Sequence, residues 1–455
     1  MKQNCWSGPS LWGWALLLLV VITAVFLRVW QFGDIPPGLY RDEAYNGIDA
    51  LRVLDGNHAL FFAANNGREP VYIYLTALAV SLLGRTAVAV RVAAAVVGSF
   101  TTVLVYLMGR EWFDRRVGLL AAWLWAITLW PVHLSRIGLR PVLLPFALAL
   151  AGWLAALAFR RQTNRLWLLA GAAYGFTFYT YLAARFTPLL VVAIVAFLWW
   201  RGPRAKLWPG LLWFGVGTVI LLAPWFILFA QQPELILGRT GQVSIFNNAV
   251  NEGRVLQTLA KHLWQGVGMF LWRGDTIVRH NPAGRPVFDW LMAVPFLWGL
   301  AWCMRNRRKP AAMLLLLWTV LMLGPTVLAE DTPHFLRAAG LLPGILLLPA
   351  LGLAQLWQWD HLPKWVRQTA VLLLAVGSLV LTVRDYVAYG QDAETAFLFE
   401  TAALEMAEQI NAETAETPAL SAAEAAVYMD RWFWDEPTQK GWPTVPYIVD
   451  LSGVT

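Results

Sequence analysis

Eleven apolar runs decide what this chain can fold into. They fall near residues 11–30, 87–109, 118–131, 142–159, 166–182, 187–200, 210–230, 287–303, 311–328, 338–357 and 367–383, and carry almost no charge. In hydrocarbon every backbone N–H and C=O must be satisfied within the segment, so such runs become bilayer-crossing helices. Composition agrees: 14% of residues are charged, against about a quarter in a soluble domain, and mean hydropathy is +0.53. The 27 Trp and 23 Phe suit aromatic belts at headgroup depth.

A twelfth apolar stretch, Val71 to Leu83, has 13 residues. A straight span needs roughly 20. The five basic clusters decide its status: Arg110/Arg115/Arg116, Arg160/Arg161/Arg165, Arg201/Arg204/Lys206, Arg305/Arg307/Arg308/Lys309 and Lys364/Arg367. If Val71–Leu83 lies in the interface, all five share the side of the N-terminus, which is then cytoplasmic by the positive-inside rule. If it spans, all five move outside. The sequence therefore predicts an all-α polytopic membrane protein with about eleven transmembrane helices over residues 1–383. Residues 32–86 form the first external loop, with an in-plane helix, and 231–286 a large external loop. The external segment 384–455 opens on an amphipathic pattern, DAETAFLFETAALEMAEQIN. It ends with strand and turn signals in VYMDRWFWDEPTQKGWPTVPYIVDL, so a small α/β appendage is expected. The first run has no A-x-A cleavage site and reads as a retained signal anchor. Cys5 and Cys303 are both expected on the cytoplasmic side, where no disulfide framework forms.

This topology excludes whole classes of function. The predicted cytoplasmic loops have about six to nine residues, whereas a βαβ nucleotide-binding unit needs roughly 30. No GxxxxGK[ST] occurs. The net charge of +7 comes from the topogenic clusters, so nucleic acid is not an expected partner. An enzyme on this scaffold draws an activated substrate from the membrane and reacts at the outer face.

The external loops hold the groups for that chemistry. GLYRDEAYNGIDALRVLDGNH, residues 38 to 58, places Asp42 and Glu43 at the first exit from the membrane. A carboxylate there would deprotonate an acceptor hydroxyl or amine, or bind a hard divalent cation. Arg68 and Glu69 precede Pro70, Arg136 and Arg140 lie in SRIGLRP, and Arg185 lies in YTYLAARFTP. Arg279, His280 and Arg285 lie in GDTIVRHNPAGRP, and His334 and Arg337 in EDTPHFLRAAGLLP. Guanidinium groups stay charged and bind phosphate bidentately. Blander roles compete: an external arginine also snorkels to headgroups, and first-turn acids also cap a helix. Asp331 and His334 have metal-like spacing but lack a third ligand in sequence, so no metal is assigned.

RDEAYNGIDALRVLDG, then REPVYIYLTALAVSLLG, then RVAAAVVGSFTTVLVYLMGREWFDRRVGLLAAWLWA resembles the GT-C superfamily of membrane glycosyltransferases, nearest the protein O-mannosyltransferase and aminoarabinose-transferase branch. The resemblance covers residues 11–160 well and extends loosely to 360. It implies inverting transfer from a polyprenyl-phosphate sugar to a glycan, lipid or protein acceptor at the outer face of a prokaryotic cell membrane. It further implies that Asp42 is the base or orients the acceptor, with Glu43 matching the neighbouring acid. Arg68–Glu69 and the segment His334–Pro343 would approach the lipid phosphate. Many relatives carry an acid where Arg140 stands, so a two-carboxylate metal site is not expected and a phosphate role for this loop is. Two rivals remain: a transporter or flippase of lipid-linked glycans, which predicts charges within spans, and a non-catalytic assembly partner.

Overall fold

All eleven apolar runs are helical in the computed structural model, which describes residues 11–65, 67–202, 204–234, 241–416 and 441–449. Seven helices are long and apolar enough to cross a membrane, among them α1 (Leu11–Val29) and Lys364–Gly390. Four of the expected spans are shorter: Arg115–Ile127, Asn164–Phe176, Trp290–Arg305 and Gly344–Trp357, of 13 to 16 residues. At about 1.5 Å per residue these reach roughly 20–24 Å, and short turns prolong three of them. Thr128, extended at ψ 135°, breaks the third run before Leu129–Leu134, a short helix that contains Pro131. The molecule is a multi-pass membrane protein.

Gly344–Trp357 is the central helix, buried at every position from Gly344 to Ala354. It is apolar all round, as a helix without a solvent face must be. Around it pack Arg115–Ile127 (α5) and Trp290–Arg305, with Ala87–Trp112 (hereafter α4) packed against α5, and one core that includes Trp125, Trp130, Phe288 and Phe296 joins them.

One end of the bundle carries the polar apparatus. Helix α2 (Arg41–Leu54) and helix α3 (Val71–Leu83) follow α1 within the first external loop. On α3, Tyr72, Ile73, Thr76 and Val80 are buried against α2 and α4, while Leu78, Leu82 and Leu83 face outward. That one-sided burial suits the in-plane helix expected from its length.

The C-terminal segment departs from expectation. Its described part is helical, as Thr401–Glu416 and Thr444–Ile448. It docks directly on the first external loop: Ala403, Ala407, Val445 and Tyr447 share a core with Leu39, Ala44, Ala50 and Val53. Tyr447 lies so close over Gly47 that a Cβ there would sit 2.4 Å from its ring. Among the described residues there is no sheet, only isolated bridges at Phe62–Arg68 and Ser244–Ala329. Of the expected strand region, residues 427–440 and 450–451 lie outside the described residues, as does Cys5. The amphipathic face was legible, but its docking target was a loop hundreds of residues away.

Candidate functional site

Helix α2 starts where it does because Tyr40 is extended and the Glu43 carboxylate reaches back to the Tyr40 N–H at 2.9 Å. Glu43 does more than cap. Its fully buried carboxylate accepts from Arg91 Nε and Nη2, both at 2.9 Å, and from the Gly138 N–H at 2.5 Å. Arg91 in turn donates to the Pro36 and Gly38 carbonyls, each at 2.8 Å. The expectation that Glu43 shares the catalytic role meets this geometry: it is a strut joining α2, α4 and the loop around Gly138, and it does not line the cavity beside Asp42.

Asp42 points the other way. It borders a cavity of about 290 Å³ that Arg68, Arg140, Arg279, His280, His334 and Arg337 also line. Its one hydrogen bond among the described residues is from Asn65 Nδ2 at 2.7 Å. Seven residues singled out in the sequence, from four loops, thus converge on one space. Arg68 is held by Asn46 Oδ1 at 2.7 Å and by Asp49. Burial lowers it from 12.5 to about 10, with Asp49 opposing the shift. Arg140 pairs with Glu69 at 3.0 Å over the Tyr181 ring, and Arg337 pairs with Glu330 at 2.9 Å. Arg279 lies over the Tyr40 ring and has no carboxylate partner among the described residues. Burial, then the neighbouring Asp42, raises the Tyr40 hydroxyl well above its ordinary value.

Besides Glu43, four expected residues stand outside this cavity. Glu69 is buried behind it, between Arg140 and Arg185, the latter at 3.9 Å. Arg285 pairs with Asp385 at 2.7 Å and so ties its loop to helix Lys364–Gly390. Arg136 was expected to meet phosphate, but it is fully buried and donates to the carbonyls of Leu27, Gln31 and Ile35 at 2.7–3.2 Å. It satisfies the orphan carbonyls after α1.

Sequence reasoning missed Asp275, Asn65, Asn46 and Arg91. Asp275 sits five residues before His280, in the same GDTIVRHNP loop. Its Oδ1 accepts from Ile277 N at 2.8 Å, and its Oδ2 from Phe335 N at 2.7 Å and His280 Nδ1 at 2.9 Å. Asp275, His280 and His334 bring ligand-type atoms within 4.8 Å of one another. Their hydrogen bonds suit a network better than a cation site. Both ring nitrogens of His280 are engaged, and His334 Nδ1 accepts from the Arg337 N–H at 3.4 Å. Burial lowers both imidazoles well below 6.5, and Arg279 and Arg337 push the same way. The arrangement holds two neutral histidines among guanidinium groups, with one carboxylate facing them across the cavity. Such a set of groups can hold an anion beside a carboxylate.

The family described as dolichyl-phosphate-mannose-protein mannosyltransferase matches residues 67–228. No curated protein matches the whole sequence significantly. Among solved structures, the chain is similar to the archaeal oligosaccharyltransferase AglB from Archaeoglobus fulgidus, in complex with an inhibitory peptide and a dolichol-phosphate. The TM-score is 0.60 at 15% identity, covering 92% of this chain and 60% of that one. It is also similar to ArnT from Cupriavidus metallidurans bound to undecaprenyl phosphate, with TM-score 0.59 at 17% identity, covering 97% of this chain and 85% of that one. At such identities the likeness is one of fold. This chain spans three fifths of the length of AglB.

Proposed function

Because the chain has the fold of the GT-C superfamily of membrane glycosyltransferases, we propose that it moves a sugar, with inversion, from a polyprenyl-phosphate donor to an acceptor at the outer face of the membrane. The observation that carries this reading is the cavity in which Asp42 faces Arg279, Arg140 and Arg337.

The acceptor hydroxyl or amine attacks the anomeric carbon from the Asp42 side. As that bond forms, its proton passes to the Asp42 carboxylate, and the electron pair of the breaking C–O bond stays on the phosphate oxygen. General-base assistance of this kind contributes roughly 10²–10⁴-fold. The leaving phosphate gains a full negative charge, and fixed cationic donors in a low-dielectric site stabilise it without reorganising. Charge matching singles out Arg279. Arg68, Arg140 and Arg337 already have carboxylate partners, whereas Arg279 has none among the described residues. Glu43 and Arg91 act only by fixing the position of α2.

The topology that goes with this mechanism has eleven spans, a cytoplasmic N-terminus and an external C-terminus. Its support is the shared side of the five basic clusters and the one-sided burial of α3. Reporter fusions after residues 31, 114 and 392 test it.

Purified protein in lipid, given a panel of polyprenyl-phosphate sugars, tests the reaction. Wild type should consume one donor, and Asp42→Asn should lose that activity while keeping its thermal midpoint. If no donor is consumed but labelled donor crosses the bilayer, the flippase reading replaces this one.

A further inference from the structure

The geometry around Arg279 points to a device that the transfer mechanism alone does not require. We propose that Asp275 and His280 form a positioning dyad: Asp275 selects the His280 tautomer, and His280 thereby grips Arg279 Nε, leaving both Nη groups of Arg279 for the donor phosphate. The inference rests on the transferase reading for the identity of the anion, though not for the dyad itself.

The argument runs through donors and acceptors. Both oxygens of Asp275 already accept backbone N–H bonds, so the carboxylate acts as an acceptor and His280 Nδ1, 2.9 Å from Oδ2, carries the proton. A neutral imidazole has one proton, so Nε2 is a bare lone pair. Arg279 Nε donates to that lone pair at 3.1 Å. Were the proton on Nε2 instead, two donors would face each other and Arg279 would turn away. Asp275 itself cannot swing, because the backbone N–H groups of Ile277 and Phe335 hold its two oxygens. The Phe335 contact also fastens the 275–285 loop to the segment carrying His334 and Arg337, which line the same cavity.

The peptide on the other side of Arg279 is fixed too. His133 Nε2 meets the Arg279 carbonyl at 3.0 Å, and Tyr389 Oη donates to the Val278 carbonyl at 2.8 Å. Main chain and side chain are thus both anchored, and the guanidinium stands over Tyr40, two residues from Asp42. A cation held this way loses little freedom when a phosphate arrives. Supports of this kind typically change affinity or activity by 10–100-fold when removed.

The test measures binding of undecaprenyl phosphate to the full chain in nanodiscs, with turnover of a donor sugar measured in parallel. Asparagine at 280 places its amide near the Nδ1 position and keeps the Asp275 contact. Glutamine reaches the Nε2 position with a carbonyl oxygen that can accept from Arg279. Arg279→Ala should raise Kd about 30-fold and His280→Asn about 10-fold, while His280→Gln stays within about threefold of wild type. Asp275→Asn should raise Kd about 10-fold alone but no more than about threefold in the His280→Gln background, where no tautomer needs selecting. In turnover, His280→Asn should raise the donor KM more than it lowers kcat.

If His280→Asn binds like wild type, or if His280→Gln is as weak as His280→Asn, Arg279 is not held through the ring nitrogen and the dyad is overturned. If Asp275→Asn costs the same in both backgrounds, Asp275 acts on the loop and not on the tautomer. Because binding of the phosphate is read without turnover, failure of the transferase reading shows separately, as normal binding with no donor consumed.

Discussion

Helix α2 has a knot behind it and a cavity in front. In the knot, Glu43 accepts from Arg91, Gly138 and Tyr40, and Arg91 meets two further carbonyls. In the cavity, Asp42 has Asn65 alone among the described residues. Successive residues on a helix point about 100° apart, so one step of sequence moves a carboxylate from a closed network to an open edge. A buried charge is tolerable only when its partners are all present. A reacting carboxylate needs the reverse, a lone pair left uncommitted. The same residue chemistry therefore serves rigidity on one face and reaction on the other.

The sharpest way to break this contrast is to empty the knot. Arg91→Ala leaves the Glu43 carboxylate buried beside two N–H groups and no cation. Removing one partner of a buried pair costs about 3–5 kcal/mol. Thermal unfolding followed by tryptophan fluorescence in detergent should show a midpoint lowered by many degrees, or no folded protein. A midpoint equal to wild type would mean that Glu43 is protonated or solvated, and the knot would lose its role. Asp42→Asn is the opposite experiment. Its midpoint should stay within about a degree of wild type, because Asn65 is its only hydrogen-bond partner among the described residues, while turnover falls by about 10²–10⁴-fold. Equal damage to stability from both variants would erase the distinction.

The two faces explain what could be read from the sequence and what could not. Apolar runs declare helices because bilayer hydrocarbon imposes one rule on every residue of a run. Asp42 could be singled out because it stands in the first polar loop after the first apolar run of a charge-poor chain. That Glu43 plays a different part was not legible, since facing depends on which neighbours arrive at Gly138 and Arg91. Arg136 and Arg140 show the same limit. Four residues apart in SRIGLRP, one is buried among carbonyls after α1 and the other lines the cavity. Asp275 escaped because its role passes through His280, and a hydrogen bond between loop side chains leaves no periodic trace.

A third face of α2, toward the C-terminal helices, gives a gentler test. Gly47→Leu drives a side chain into the Tyr447 ring. Overpacking typically costs about 1–3 kcal/mol, so the midpoint should fall by less than for Arg91→Ala. Turnover should fall as well if this contact steadies Asp42. A variant with lowered midpoint and undiminished turnover would separate the C-terminal clamp from the chemistry.

The smallest effect is expected where α2 meets Glu400. Arg41 Nε lies 3.0 Å from Glu400 Oε1, and Thr444 Oγ1 donates to the same carboxyl at 3.3 Å. Burial nevertheless outweighs Arg41, and with Asp42 nearby the carboxyl is raised above 4.5. An acid that binds its proton more tightly when folded adds stability below its unfolded value. That contribution is lost as pH rises through the folded value, so Glu400 favours the folded state on the acid side and opposes it slightly at neutral pH. Glu400→Gln should thus leave the midpoint at pH 7 unchanged or slightly raised, and should flatten its pH dependence just above 4.5. A clear drop at pH 7 would mean that the Arg41 pair outweighs burial, and that the outer face of α2 is held by charge as firmly as the knot behind it.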